Sequence, residues 1–321
     1  MNGDTRPVAG IDVGGTKTAV FVVDSAGAIL GRATRPSTAG DQARAADAIV
    51  ACLDEALEGT GFARADLRAA GVGVPGRVDP HTGSVTLAVN LGWHDFRLRD
   101  ALERRIGRPV AVENDARAAA LGLHERGVLG DADDLAYLAV GTGIAAGVVL
   151  DGALHRGARG LAGEIGHVIV QRGGPSCTCG QRGCLEAVAA GPSIARRAGA
   201  ASAVEVFEAA RSGDKVSRDL VEDVGRHLAW AAHLLVLTYD VQRVVIGGGV
   251  SHAGAAFAEP IHRELARMRA VSREAAALLP ADIVQILPAA AEAGAWGAVA
   301  IARRAPVTIG QNPAEEVVQE V

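Results

Sequence analysis

The residues most ready for chemistry lie in one stretch, GEIGHVIVQRGGPSCTCGQRGCLE, beginning at Gly163. Cys177, Cys179 and Cys184 fall within eight residues of one another, and His167 precedes them. Thiols that close make an awkward disulfide framework, whereas three thiolates and an imidazole match the tetrahedral donor set of zinc. With no open coordination position, such a site is structural, and it can contribute on the order of 10 kcal/mol to local folding. Glu164 and Glu186 flank the ligands, so a metal here would fix two carboxylates in space. Convergent carboxylates suit the hydroxyls of a sugar, each charge-assisted bond contributing about 1.5 to 3 kcal/mol. Taken singly, either glutamate reads as a solvated surface acid.

A second kind of chemistry is written in glycine turns. The chain has no GxxxxGK[ST], which excludes a P-loop. Two segments, GVGVPG from Gly71 and GTGIAA from Gly141, fit a dinucleotide fingerprint, but neither opens a helix, so both fail on context. What remains is backbone N–H groups in turns between strands, free to approach phosphate oxygens because no Cβ intervenes. In DVGGTK, Asp12 could orient a magnesium-bound water, Thr16 could donate to phosphate and Lys17 could offset its charge. Alone, the segment reads as an ordinary hairpin; that one of only two lysines, against thirty arginines, lies beside Gly14 and Gly15 tilts the reading towards function. VVIGGGVS, with Gly247, Gly248 and Gly249, reads as strand, glycine loop and a helix from about Gly254; a nucleotide against the loop and tight strand-to-helix packing explain it equally well.

These motifs need elements to hold them. Residues 8 to 35 alternate apolar and small residues around GGTK and DSAG, which predicts a three-stranded antiparallel meander. A helix over Gln42 to Glu58 follows, then a strand from Leu67 to Val74 ending at Pro75-Gly76, a helix near Leu98 to Ile106, and the strand RPVAVEND leading into the helix ARAAALGLHERG. Asn114 and Asp115 thus fall at a strand's carboxyl end, where open α/β sheets collect ligands. Residues 135 to 155 repeat the plan of residues 8 to 30, so the chain reads as two related halves, each with a glycine hairpin. Cys52, in AIVACLDEAL, reads as a buried helix residue.

At 321 residues, 49% hydrophobic and 21% charged, the chain fits two α/β domains. Its net charge of −5 lacks the basic excess of a nucleic-acid binder. The uncharged run Leu135 to Leu150 is short and glycine-broken, and the start shows no charged-then-apolar leader, so the expected location is cytoplasmic, without a membrane partner. The tail after Arg304 reads as peripheral.

Together these segments resemble the ROK family of repressors, uncharacterised reading frames and sugar kinases, within the actin-like ATPase (ribonuclease H-like) fold: two α/β domains around a central cleft, with a zinc-binding loop in the larger. The likeness runs from Asp12 to about Ala302. Its most specific part is GEIGH followed by CTCGQRGCLE, supported by DVGGTK, VPG, NLGW, VENDA, GTG and IGGGVS in family order. The resemblance implies a small domain of residues 1–117 plus 290–321 and a large one of 118–289. It implies that Asp115 is the catalytic base, that Gly76, Asn114, Asp115, Glu164, His167 and Glu186 hold the sugar, and that His167, Cys177, Cys179 and Cys184 bind zinc. ATP phosphates are expected at Asp12, Gly14, Gly15, Thr16 and Lys17 and at Gly141, Thr142 and Gly143, with Gly247, Gly248 and Gly249 near the adenosine. The implied cofactors are ATP, Mg2+ and structural Zn2+, and the implied assembly is a homodimer or homotetramer.

The implied reaction is transfer of the ATP γ-phosphoryl to the C6 hydroxyl of glucose. The alternatives are another sugar (N-acetylglucosamine, N-acetylmannosamine, mannose or fructose), a polyphosphate donor, or a sugar-sensing regulator without turnover. Family repressors carry a DNA-binding helical domain before the first hairpin; here Asp12 is almost at the start, which argues against that branch. Two departures bear on ATP positioning: Ala145 and Ala146 stand where glycines are usual, and Arg117 where asparagine is commoner.

Overall fold

The computed structural model describes residues 4–288, 291–306, 308 and 309; most of the tail beyond Arg304 lies outside them. The chain divides into two units, one of residues 1–128, 154–162 and 292–321, the other of 129–153 and 163–291. A boundary after residue 117 would have cut the helix Asp115–Glu125, which instead stays whole in the first unit.

In the first unit β1 (Val8–Val13), β2 (Lys17–Val23) and β3 (Ile29–Pro36) form the expected antiparallel meander, followed by helix α1 (Gln42–Leu57). The Asp41 carboxylate caps α1 by accepting from the Ala43 and Arg44 amides, and Ala45, Ile49, Leu53 and Ala56 form its buried stripe. Strand β4 (Ala70–Val74) joins β1 in parallel. A small three-stranded sheet follows, from β5 (Arg77–Val78), β6 (Val85–Ala88) and β7 (Trp93–Phe96). Helix α2 (Leu98–Ile106), strand β8 (Val110–Asn114), parallel to β4, and helix α3 (Asp115–Glu125) complete the run. The main sheet has the order β3-β2-β1-β4-β8.

The second unit repeats the plan. Strands β9 (Leu135–Val140) and β10 (Ile144–Leu150) form a hairpin, with the two-residue β11 (Ala153–Leu154) at its edge. Helices α4 (Leu185–Ala189), α5 (Gly191–Ala198), α6 (Ala203–Arg211) and α7 (Lys215–Tyr239) lead to β12 (Arg243–Gly247). After α8 (Ala255–Val271) and α9 (Arg273–Leu278) comes β13 (Val284–Ile286). The order is β11-β10-β9-β12-β13, with β12 parallel to both neighbours, the same topology as the first sheet. The loop after β12 carries a 3-10 turn, Gly249–Ala253, before α8 begins at Ala255.

The last helix, α10 (Ala293–Arg303), belongs to the first unit. Side chains of a strand alternate between faces. On β1, Ala9, Ile11 and Val13 share a buried cluster with α1, whereas Val8 joins Val299 and Ala302 of α10. Glycines let α10 approach backbone to backbone: a Cβ on Gly71 would lie 2.1 Å from the Ala298 carbonyl, and one on Gly297 2.4 Å from the backbone of Ala118 in α3. Phe21 and Trp296 close the edge with a T-shaped contact at 5.7 Å. Among the described residues no helix is long and apolar enough to cross a membrane.

Candidate active site

The same alternation that buries Ile11 towards α1 turns Asp12 to the opposite face, onto the first turn of α10. Gly294 makes the room: a Cβ there would lie 2.2 Å from Asp12 Oδ2. Register does the rest. Asp12 pairs with Gly73, and Val74 with Asn114, so β1, β4 and β8 end side by side. Gly73 stands between two acids: a Cβ added to it would fall 3.6 Å from Asp115 Cα and 3.9 Å from Asp12 Oδ1. Burial first, then the charge of Asp115, push the Asp12 carboxyl up to about 7, with Lys17 opposing. Two neighbouring acids, one of them reluctant to ionise unaided, fit the seat of a divalent cation.

Asn114 and Asp115 straddle the strand-to-helix junction. Asn114 caps α3 by accepting from the Arg117 amide at 3.1 Å, and its Nδ2 donates to the Gly76 carbonyl at 3.1 Å. Gly76 has φ +92° and no space for a side chain, since a Cβ would lie 2.1 Å from the Leu87 carbonyl. Asp115 opens α3, and its Oδ1 accepts from the Ala116 amide at 2.8 Å. On the other side of Asp12, the hairpin closes with Gly14 N–H donating to the Lys17 carbonyl at 2.9 Å, leaving Gly15, Thr16 and Lys17 exposed.

Beneath Asp115 lies a charged cluster that sequence reasoning did not find. Glu113 is 2% exposed, and its carboxylate accepts from the Asn114 amide at 2.9 Å, from Arg117 Nε at 2.7 Å and from Arg156 Nε at 2.6 Å. Arg117 also donates to the Gly160 carbonyl at 2.6 Å. The departure at position 117 is therefore an internal tie that pins residues 154–162 to the first unit. Burial alone would raise the Glu113 carboxyl; the two guanidiniums hold it below the usual carboxylate range. A depressed folded pKa gives stability that is present above the unfolded value of about 4.3 and lost as pH falls through the folded value. Arg117→Ala should thus cost about 3 kcal/mol in urea unfolding at pH 7, with the gap from the parent shrinking below about pH 4. A loss under about 1 kcal/mol at neutral pH would dismiss the tie as incidental.

In the second unit the candidate metal-binding segment is laid along β10. Gly163, at φ +94°, would place a Cβ 1.8 Å from the Ala146 carbonyl, and Gly166 one 2.1 Å from the Ile144 carbonyl, so only glycine permits the contact. Ala146, one of the two alanines at a usual glycine position, donates its amide to the Gly163 carbonyl at 2.8 Å. This spacing presents Glu164 and His167 together: Glu164 Oε2 lies 3.8 Å from His167 Nε2, while His167 Nδ1 lies 3.8 Å from Cys177 Sγ. The two ring nitrogens can serve different partners, Nδ1 the metal and Nε2 a ligand beside Glu164.

The donor atoms of His167, Cys177, Cys179 and Cys184 all lie within 4.8 Å of one another, and the Cys179 and Cys184 sulfurs are 3.7 Å apart. A zinc tetrahedron with Zn–S bonds of about 2.3 Å has S–S edges of about 3.8 Å, so the donors fit that ion. Backbone donation from Gln181 holds the Cys179 thiol down to about 6, whereas burial pushes Cys184 up to about 12. Crowded thiols that cannot ionise together by themselves call for a cation.

The second hairpin closes with Gly141 N–H donating to the Gly143 carbonyl at 2.9 Å, with Thr142 at its tip. Gly249 comes close to it, its amide lying 4.0 Å from the Cβ position of Gly141. The packing explanation for the triple glycine holds for two of the three residues. A Cβ would meet the Tyr137 ring at Gly247 and the Val140 carbonyl at Gly248, where φ is +99°, whereas Gly249 has open space. Glu186 does not stand free beside the metal loop: its Oε2 accepts from the Ile144 amide at 2.9 Å.

Two units that each repeat a sheet of order 3-2-1-4-5 with a glycine hairpin, the first with acids at its strand ends, define the actin-like ATPase fold class. The chain belongs to the ROK family, whose model matches residues 8–305. It is 36% identical over 277 residues to a glucokinase of Halalkalibacterium halodurans, covering 80% of this chain and 84% of that protein. It is 34% identical over 251 residues to an N-acetylmannosamine kinase of Escherichia coli, covering 76% and 83%. A ROK family glucokinase from Streptomyces griseus, solved in complex with glucose and AMPPNP, superposes with a TM-score of 0.80 at 32% identity, covering 93% of this chain and 99% of that one.

Proposed function

We propose that the protein is an ATP-dependent hexose kinase that transfers the γ-phosphoryl group to the C6 hydroxyl of glucose, acting as a homodimer or homotetramer. The observation that carries the proposal is the placing of Asp12 and Asp115 on either side of Gly73, at the ends of β1 and β8, next to a glycine hairpin. One acid suits a hydroxyl proton, the other a cation. The glucokinase from H. halodurans and the glucose-bound relative from S. griseus support the choice of sugar. Exposed Trp230, Leu234 and Leu237, at helical spacing on α7, support self-association.

Asp115 cannot strip the hydroxyl in advance: the gap between a water-like pKa near 16 and an aspartate near 4 is about 12 units, or roughly 16 kcal/mol. In a loose phosphoryl-transfer transition state the hydroxyl acidifies as its oxygen bonds to phosphorus, so Asp115 orients it and accepts the proton late. Asp12 would hold Mg2+, which when bound offsets the charge of the transferring phosphoryl group. Gly14, Gly15 and Gly141 to Gly143 bring backbone N–H groups to phosphate oxygens, Thr16 donates a hydroxyl, Lys17 offsets charge, and Gly247 to Gly249 border the adenosine. Gly76, Asn114, Glu164, His167 and Glu186 hold the sugar. His167, Cys177, Cys179 and Cys184 would hold Zn2+, which supplies rigidity rather than a reactive position.

The N-acetylmannosamine kinase relative favours one second reading, an N-acetylhexosamine substrate. A coupled ADP-release assay with glucose, mannose, fructose, N-acetylglucosamine and N-acetylmannosamine separates the two. ADP release with glucose at a kcat/KM at least 100-fold above the others is expected. Release only with an N-acetylhexosamine would move the substrate, and none with any sugar would leave a regulator.

A further inference from the structure

We infer that Glu186 is a strut for the second glycine hairpin, and that through it the metal loop sets the shape of the nucleotide site as well as that of the sugar site. The inference rests on the kinase reading above for the identity of the ligand, and on the geometry of the second unit alone for the strut.

The segment between Cys184 and Gly191 grips both sides of the hairpin. On the β10 side, the Ile144 amide donates to Glu186 Oε2 at 2.9 Å. The same oxygen lies 2.6 Å from where a Cβ on Gly143 would stand, so it fills the space beside the turn that a side chain would take. On the β9 side, the Gly191 amide donates to the Gly141 carbonyl at 2.9 Å. Between these two grips runs α4, a single short helix whose first-turn acid is Glu186 and whose preceding residue is Cys184, a metal-ligating residue. Leu185 and Ala189 of α4 share a buried cluster with Ile144 and Ile165, so the bracket has its own apolar seat.

A carboxylate that accepts a backbone N–H fixes the direction of that amide plane. The Ile144 amide directly follows the Gly141–Gly143 turn, and turn amides aimed at an anion work only if preorganised. Glu186 Oε2 is thereby committed to the hairpin, while the rest of the carboxylate can still accept from a sugar hydroxyl. Glu186 then links the two substrates: ordering by one is already complete when the other binds.

The test uses full-length protein with its metal. Affinity for AMPPNP is measured by calorimetry without sugar, and exchange of the 141–146 backbone amides is followed by mass spectrometry. Glu186→Leu should weaken AMPPNP at least 10-fold and speed exchange in that peptide, whereas Glu186→Gln, which keeps an acceptor oxygen, should stay within threefold of the parent. Gly143→Ala, whose backbone angles suit alanine, should displace the carboxylate and weaken AMPPNP in the same way; added to Glu186→Leu it should cost nothing further, the signature of one shared interaction. Chelating the metal should speed exchange of the same peptide. If Glu186→Leu and Gly143→Ala both bind AMPPNP within twofold of the parent and exchange at the parent rate, the strut is refuted. If exchange responds as expected but the parent itself binds no AMPPNP, the strut stands and the nucleotide reading fails.

Discussion

Replacing Asp115 with alanine should lower kcat at least 100-fold while leaving the dissociation constant for the sugar within about threefold. The scale is that of positioned general bases. In the proposed mechanism the proton that Asp115 would accept moves only as the new bond to phosphorus forms, so its loss should fall on the transition state and not on ground-state binding. The fold should survive. Asp115 is the first residue of α3, and removing a carboxylate from a helix N-terminus costs about 0.3 to 1 kcal/mol. The change should also be felt at Asp12, whose carboxyl is raised to about 7 by burial and then by the Asp115 charge. With that charge gone, the Asp12 pKa moves down but stays above the ordinary aspartate value, because burial remains. Paired measurements of kcat and of glucose binding by calorimetry decide the matter; near-normal turnover in the variant removes Asp115 from the role.

Cys179→Ala, or removal of metal by a chelator, should abolish measurable sugar affinity. The cysteine-bearing part of the loop has little apolar packing of its own. Its own apolar cluster is Cys177, Cys184 and Ala187, two of which are candidate metal ligands. Its backbone is closed by a few short-range bonds, such as Cys177 N–H to the Gln181 carbonyl at 2.8 Å and Gly183 N–H to the Pro175 carbonyl at 2.7 Å. Segments of this size bury too little to offset the chain entropy of ordering the loop, roughly 1 to 2 kcal/mol per residue for the backbone alone. A metal contributing on the order of 10 kcal/mol changes that balance. His167 Nε2 and Glu164, 3.8 Å apart, are presented by the same loop, so its disorder removes a proposed sugar donor and a proposed sugar acceptor at once. Elemental analysis that finds no zinc in active protein, or unchanged glucose binding after chelation, would end this account.

The cysteine spacing was legible because the cluster is local: the three thiols lie within eight residues and the histidine just before, so chain connectivity alone limits where they can go. The meander and its repeat were legible for a similar reason, since strand periodicity and glycine turns are short-range signals that survive without tertiary context. The Glu113 cluster was not legible. Glu113 and Arg117 are four residues apart across the junction of β8 and α3, but Arg156 and Gly160 arrive from an excursion of the chain that returns to the first unit after β11. Nothing at position 156 distinguishes it from the other arginines.

The sequence by itself determined the first meander, its echo at residues 135 to 155 and the spacing of the candidate Cys3His set, because each depends on residues close along the chain. Tertiary structure alone decided that Gly294 would make room for Asp12, that Arg156 would reach Glu113, and that Glu186 would turn one oxygen onto the hairpin before Ile144. Those pairings join residues far apart in sequence, and only the packing of helix on sheet brings their atoms within hydrogen-bonding or van der Waals distance.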